Sequence, residues 1–303
     1  MSKKSPRFSI IVTTYNRQTL LERCLASLLV QEFPRDEYEI IVVDDGSGDT
    51  TAGLLTVLAR EGQVRYIHQE NCGWSVARNT GLARSQGEIV VFTDDDCRVP
   101  IDWLARYNTA YQEHPEFAGI AGSMACDGGA NLAGKIRHQV HLETFDLLNA
   151  PLKMTHQDAG EVLFCYGANR SFRREVLIGS SFDMTLLYFD DYDLNLQLHE
   201  RGVRIYYDPA IQVTHCYILS ARDRILADYR FGLSAVVFAR KHSKQSYPRP
   251  ARGSLTRLRE EYRDEPLSTK LSYVAVQAMC RLARQWGYLR GAWQLHRARR
   301  RGQ

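Results

Sequence analysis

Residues 88–96 read Glu88-Ile89-Val90-Val91-Phe92-Thr93-Asp94-Asp95-Asp96, and this stretch decides the fold. Glu88 to Thr93 reads as a strand, its middle a β-branched and aromatic run. It runs straight into three carboxylates. The design recurs upstream: Tyr38 to Val43 is a buried strand ending in Asp44-Asp45-Gly46-Ser47, and Phe8 to Thr13 is another, leading into Thr14-Tyr15-Asn16. Helix signals lie between them. Thr19-x-x-Glu22 reads as a capping box for a helix whose Leu21, Cys24, Leu25, Leu28 and Leu29 form one apolar stripe. Asp49 is placed to cap a second helix, with Leu54, Leu55 and Leu58 inward and Gly62 closing it. Val64 to His68 is a further strand, and a helix around Val76 to Arg84 stops at Gly87. Strands alternating with helices at this spacing predict an α/β domain: a mostly parallel sheet flanked by helices on both faces. Such sheets bind ligands beyond the carboxyl ends of their strands, where three polar, carboxylate-rich loops converge here.

Composition narrows the function. The 303 residues are 44% hydrophobic and 24% charged, enough for a sizeable core. A net charge of +4 argues against a nucleic-acid partner recognised through bulk basicity. Seven scattered cysteines with no C-x-x-C pair exclude a zinc ribbon and favour a reduced, cytoplasmic setting; they read as small buried hydrophobes. Trp74 and Trp103 read as packing residues at the sheet edge. The apolar run after the basic Met1–Arg7 stops at Thr13, too short for a signal-peptide core, and no transmembrane helix is expected. Neither G-x-G-x-x-G nor G-x-x-x-x-G-K-[ST] occurs. An acid-rich site repels a diphosphate unless a divalent cation lies between them, and oxygen ligands suit Mg²⁺ or Mn²⁺.

Six motifs in order and register extend this reading. They are Val12-Thr13-Thr14-Tyr15-Asn16-Arg17, Val43-Asp44-Asp45-Gly46-Ser47-x-Asp49-x-Thr51, Ala77-Arg78-Asn79-x-Gly81, Thr93-Asp94-Asp95-Asp96, Gly167-Ala168-Asn169-x-x-Phe172-Arg173-Arg174, and Asp190-Asp191-x-Asp193-Leu194. The chain from about residue 8 to about residue 216 thereby resembles the family 2 glycosyltransferases of the GT-A fold. The resemblance implies an inverting, hexosyltransferase-type enzyme that moves a sugar from a nucleotide-diphosphate donor, UDP by preference, to a hydroxyl acceptor in polysaccharide, glycolipid or other glycan synthesis. Asp45 would accept from the base ring NH, with Tyr15 stacking, Thr13 offering backbone contacts, and Arg78 and Asn79 beside the nucleotide. Asp94-x-Asp96 matches the D-x-D signature for metal and ribose. Asp96 is the first choice for the metal; Asp94 and Asp95 follow, because one residue of register decides which carboxylate points inward.

The second half supplies the base. Asp191 stands where the family takes the acceptor proton, and Asp190 stands where a Glu is commoner, so the assignment between the two stays open. Asp193 begins the following helix (Leu194, Leu196, Leu198, closing at Gly202) and reads as structural. His215, after the strand Val203 to Tyr207 and the stretch Ile211 to Thr214, resembles a metal or diphosphate ligand of some members; a packed histidine is the alternative. A glycosidase also uses two carboxylates, but leaves the strand-end acids unexplained. A nucleotidyltransferase would want a basic phosphate loop near Thr13 to Arg17, and a non-catalytic assembly protein would have lost the acids.

The expected catalytic domain spans residues 1–220, with a nucleotide-sugar half (1–120) and an acceptor half (121–220), followed by a helical, basic extension over 221–303. A helix-like stretch lies around His138 to Leu148 in the acceptor half, and another, Arg222 to His242, leads into the extension; Arg222, Arg224 or Arg230 is within the scope of a diphosphate contact. Arg249 to Gln303 holds 13 Lys+Arg and 4 Asp+Glu, a local +9 beside an acidic body. Its Leu, Val, Tyr and Trp alternate with Arg, which fits an anionic membrane surface, a homodimer contact or a cover for the catalytic domain.

Overall fold

The computed structural model describes residues 5–217, 220–242 and 267–300. The strands are Phe8–Thr14 (β1), Tyr38–Asp44 (β2), Arg65–His68 (β3), Ile89–Asp94 (β4), Cys97–Arg98 (β5), Gly119–Cys126 (β6), Gly160–Val162 (β7), Arg170–Arg173 (β8) and Ile205–His215 (β9). The helices are Gln18–Leu28 (α1), Thr51–Arg60 (α2), Trp74–Arg84 (α3), Trp103–Glu113 (α4), Leu132–Asn149 (α5), Arg174–Leu177 (α6), Asp190–Glu200 (α7), Ala221–Lys241 (α8) and Leu267–Arg300 (α9).

The sheet order is β3-β2-β1-β4-β8-β6-β9-β5, with β7 paired to β9. From β3 to β4 every pairing is parallel, and β6 runs parallel to β9. β8 lies antiparallel between β4 and β6, and the short β5 and β7 run antiparallel to β9. The central strands are hydrophobic at nearly every position because helices cover both faces: Ile10, Ile11 and Val12, Ile40 to Val43, and Ile89 to Phe92 are all buried. One face packs on Leu21, Cys24, Leu25 and Leu28 of α1 and on Trp103, Leu104 and Tyr107 of α4. On the other face Ile11 is buried, and Ile41 and Val43 pack with Ala77 of α3. Register then aligns the strand ends, pairing Thr14 with Asp44 and Thr13 with Asp94.

Several details differ from the sequence expectations. Thr19 lies inside α1, whose N-cap is Arg17 without a side-chain bond. Asp49 takes that task from another loop, accepting from Gln18 N at 3.2 Å and from Thr51 N at 3.0 Å, so one carboxylate serves the first amides of both α1 and α2. Helix α7 begins at Asp190, three residues before Asp193, and puts three acids in its first turn. Val203 to Thr214 is not two elements around a break but mostly one strand, β9, with a bulge opposite Gly122/Ser123. Trp103 is buried, its indole N–H donating to Asn169 Oδ1 at 3.0 Å, whereas Trp74 is exposed at the start of α3. Cys72 is exposed and Cys126 half-buried; the other five cysteines are buried.

The chain divides into two compact units. The first comprises Met1–Gly129, Leu148–Met184 and Asp190–Cys216; the second comprises Ala130–Leu147, Thr185–Phe189 and Tyr217–Gln303. The second unit therefore takes in most of α5 as well as the C-terminal helices, unlike a single cut near residue 220. Within it α8 opens with a capping box, Ser220 accepting from Asp223 N. Asp228 of α8 is paired with Arg224 at 3.0 Å and with Arg284 of α9. That pairing accounts for Arg224, which is fully buried and so not the exposed cation a diphosphate contact requires. No helix among the described residues is long and apolar enough to cross a membrane.

Candidate active site

The acids at the end of β4 fall into two groups. Asp95 is buried and accepts from Thr14 Oγ1 at 2.8 Å and from Arg17 Nη1 at 2.6 Å. Asp96 accepts from Arg17 Nη2 at 2.8 Å through Oδ2. Its other oxygen, Oδ1, is buried, accepts no hydrogen bond, and lies 3.4 Å from His215 Nε2. The antiparallel pairing of β5 with β9 causes this: it sets His215 opposite Cys97, one residue past Asp96. Burial pushes Asp95 up to about 7 against the pull of Arg17. Burial also opposes ionisation of Asp96, but His215 and Arg17 outweigh it and hold that carboxyl below the usual range.

A buried carboxylate oxygen with no donor is costly unless a cation meets it. Asp96, Cys97 and His215 each offer a ligand atom, all within 4.8 Å of one another. The Asp96 oxygen and the His215 imidazole suit Mg²⁺ or Mn²⁺. Cys97 suits them poorly, since burial first and the neighbouring aspartates next push its thiol far above the ordinary range. The residues present thus fit a hard divalent cation. Asp94, expected beside Asp96 as a ligand, is not in this group; its Oδ1 accepts from Arg78 Nη2 at 3.0 Å.

Arg78 connects the strand ends to α7. From α3 it donates to Asp94 and, through Nη1, to Asp190 Oδ2 at 2.6 Å, while Asp191 Oδ1 lies 3.7 Å away. Asp191 is held on both oxygens: Oδ1 accepts from Arg170 Nη2 at 2.8 Å and Oδ2 from the backbone N–H of Gly167 at 2.9 Å. A Cβ at Gly167 would sit 2.6 Å from that carboxylate, so the close approach requires glycine. Arg170 is fully buried on β8, its guanidinium 5.4–5.8 Å from the rings of Phe92, Phe172 and Phe182. The two α7 carboxyls differ in environment. Burial and the adjacent Asp191 push Asp190 up to about 6, against Arg78. For Asp191 burial is outweighed by Arg170, Arg78 and the Gly167 amide, and its carboxyl is held below the usual range. Asp191 is also the more open, its side chain 23% exposed against 8% for Asp190.

The remaining expected residues line the neighbouring loops. Tyr15 is 46% exposed and Thr13 half-buried. Asn16 adopts φ 53°, and its Oδ1 accepts from Gly48 N at 2.7 Å, fastening the loop after β1 to the loop after β2. Asp45 accepts from Gln69 Nε2 at 2.7 Å, Cys72 N at 2.9 Å and Gly73 N at 2.8 Å. In this structure its carboxylate therefore organises residues 69–73, so a base NH would have to compete with three donors. Asn79 uses both ends of its amide on the backbone of Phe182, at 2.8 and 2.9 Å, and so anchors that segment.

Sequence reading singled out neither Arg17 as a clamp on Asp95 and Asp96 nor Arg170 as the partner of Asp191. Arg170 lies inside the Gly167-Ala168-Asn169-x-x-Phe172-Arg173-Arg174 motif, but its burial and its pairing with Asp191 are set by tertiary contact.

The family model described as "Glycosyl transferase family 2" matches residues 9–179. Among curated relatives, the glycosyltransferase AglE of Haloferax volcanii is 36% identical over 112 residues, 35% of this chain and 36% of that protein. The poly-beta-1,6-N-acetyl-D-glucosamine synthase of Staphylococcus aureus (strain COL) is 24% identical over 212 residues, 70% of this chain and 49% of its own length. The aligned part spans less than half the length of these relatives. Among solved structures, the mannosyltransferase PcManGT from Pyrobaculum calidifontis in complex with GDP-Man and Mn²⁺ superposes with TM-score 0.60 at 21% identity, covering 97% of this chain and 75% of that one. S. aureus TarS 1-349 in complex with UDP gives TM-score 0.57 at 18% identity, covering 98% and 92%. These likenesses establish the GT-A fold, and the match over residues 9–179 establishes the lineage: the chain belongs to glycosyl transferase family 2.

Proposed function

We propose that this chain is an inverting, divalent-metal-dependent glycosyltransferase that moves a sugar from a UDP-sugar to a hydroxyl acceptor on a polysaccharide, glycolipid or other glycan. The observation that carries the reading is the Arg78 bridge. It ties Asp94, at the strand-end acid cluster, to Asp190 and Asp191 at the start of α7, so donor-side and base-side carboxylates share one cation.

Asp191 is the general base. Gly167 N–H and Arg170 keep it ionised and fix its direction, and its partial exposure leaves it open to an approaching hydroxyl. A carboxylate held below its usual range is a modest base, but it needs only to take a proton that becomes acidic as the hydroxyl attacks. Asp190, more buried and drawn onto Arg78, positions that arginine. Asp96 and His215 would hold Mg²⁺ or Mn²⁺, which when bound offsets the charge of the leaving diphosphate. Asp95 and Thr14 support the Asp96 turn through Arg17. Tyr15 offers its exposed ring to the base, with Thr13 at the strand end beside it. Neighbours were solved with UDP-GlcNAc and with GDP-Man, so both nucleotides belong in the test.

The test is release of nucleoside diphosphate from a panel of UDP-, GDP- and dTDP-sugars, with and without Mn²⁺. Metal-stimulated release from a UDP-sugar supports the reading. Release from a GDP- or dTDP-sugar alone would overturn the donor assignment, and release unaffected by chelation would overturn the metal.

A further inference from the structure

Helix α9 has two unlike faces. Buried Cys280, Gly287 and Gly291 mark the face packed on α8. The glycines bring backbone against backbone: a Cβ on Gly287 would lie 2.0 Å from Tyr229 O, and one on Gly232 of α8 2.0 Å from Arg284 O. On the other side Met279, Leu282, Trp286, Leu289 and Trp293 follow a three-four spacing and are 43–67% exposed. At 100° per residue this stripe is centred about 140° from the packed face and runs about 21 Å along the helix. α8 therefore already has its contact, and these five large apolar side chains, two of them tryptophan, keep about half of their surface or more exposed. Such a patch marks an interaction surface.

Charge chooses the occupant. Between Leu267 and Arg300 there are seven Lys+Arg and no Asp or Glu. Arg281 and Arg290 are exposed, as are Arg240 and Lys241 at the end of α8. A second copy of the stripe would set this charge against itself. An anionic lipid surface accepts both halves, with the indoles and leucines in the headgroup boundary and the cations over the phosphates.

We infer that α9 docks the chain on an anionic membrane surface through Met279, Leu282, Trp286, Leu289 and Trp293, lying along the interface. This is independent of the catalytic reading.

The full chain should be floated with vesicles of phosphatidylcholine alone and of phosphatidylcholine with an equal part of phosphatidylglycerol. Each cation near an anionic surface is worth about fivefold in partitioning, so binding to the anionic vesicles is expected to be at least about tenfold tighter and to weaken with salt. Tryptophan emission should shift to the blue on binding. Trp286→Ser with Trp293→Ser should lower binding about tenfold or more while helical circular dichroism is kept. Should that pair fail to fold, Arg290→Gln serves instead: about fivefold weaker on anionic vesicles, unchanged on neutral ones. Equal binding to both vesicles would overturn the inference, as would absence of vesicle binding. Absence of vesicle binding together with dimers that the serine pair dissolves would assign the stripe to a second copy.

Discussion

Replacing Arg78 by Met keeps most of its aliphatic stem and removes the fork that joins Asp94, Asp190 and Asp191. Arg78 is 12% exposed and donates at 2.6 Å to Asp190 and 3.0 Å to Asp94. Removing one partner of a buried pair costs about 3–5 kcal/mol, because the other charge stays buried. Asp94 is 29% exposed and solvent screens its share, so the lower end, about 3 kcal/mol at pH 8, is the expectation. That corresponds to a fall in Tm of about 6–12 °C for a domain of this size. The deficit must also depend on pH. Asp190 sits near 6 in the native protein, above its unfolded value, and is pushed there by burial and Asp191 against Arg78. An acid raised on folding favours the protonated folded state. Its penalty is absent below the unfolded pKa, grows as pH rises towards the native one and is complete above it. Without Arg78 the native value moves higher, so variant and parent diverge through Asp190 only above about pH 6. Loss of Arg78 from Asp191, whose carboxyl is held low, adds a part already complete at lower pH. Denaturant or thermal unfolding of both proteins at pH 5.5 and pH 8 reads the difference. A deficit that is equal at both values, or larger at pH 5.5, refutes the reasoning.

Three further outcomes follow from the same geometry. Gly167→Ala places a methyl 2.6 Å from Asp191 Oδ1 and displaces the carboxylate; kcat should fall about tenfold or more with KM for the donor nearly unchanged, as steady-state kinetics will read. Chelation should abolish donor binding, with Mn²⁺ or Mg²⁺ restoring it; Asp96→Asn should remove the metal response in calorimetry while leaving the fold intact, because the Asn oxygen can still accept from Arg17 Nη2 and its amide group replaces Oδ1, which accepts no hydrogen bond. Asp45→Ala frees Gln69 and the amides of Cys72 and Gly73; faster hydrogen exchange over residues 69–73 and weaker nucleotide affinity are expected, with transfer chemistry at saturation retained.

The parallel half of the sheet was legible because buried parallel strands write themselves as uninterrupted apolar runs. Ile40 to Val43 and Ile89 to Phe92 needed no further context, and the acids after them marked the site edge. The other half was not. β8 holds four residues, one of them Arg170, and β5 only Cys97 and Arg98; elements that short have no periodicity to read, and their pairing is decided by tertiary contact. Local signals lost to distant ones in the same way. Thr19-x-x-Glu22 resembles a capping box, but Asp49 reaches α1 from another loop and moves the helix start to Gln18. Asp193 resembles a helix start, but three acids fit the first turn because Arg78, Arg170 and the Gly167 amide absorb two of them. Among the site residues, the acids were recognised by their place after strands. The arginine partners of these acids were not foreseen because they lie far away in sequence: Arg17 meets Asp95 and Asp96 across 78 and 79 residues, and Arg78, expected beside the nucleotide, meets Asp190 across 112.

Asp191→Asn tests the central claim most directly. Asn preserves shape, but its amide nitrogen must face either Gly167 N–H or Arg170, both donors, at a stability cost of about 1–3 kcal/mol. Folding is therefore checked first, at a temperature where the variant is native. Transfer from the donor that the panel identifies should then fall about 10²–10⁴-fold in kcat, while donor Kd in the presence of Mn²⁺ stays within about threefold of the parent. A folded Asp191→Asn protein that binds the donor and transfers at the parent's rate would contradict the account.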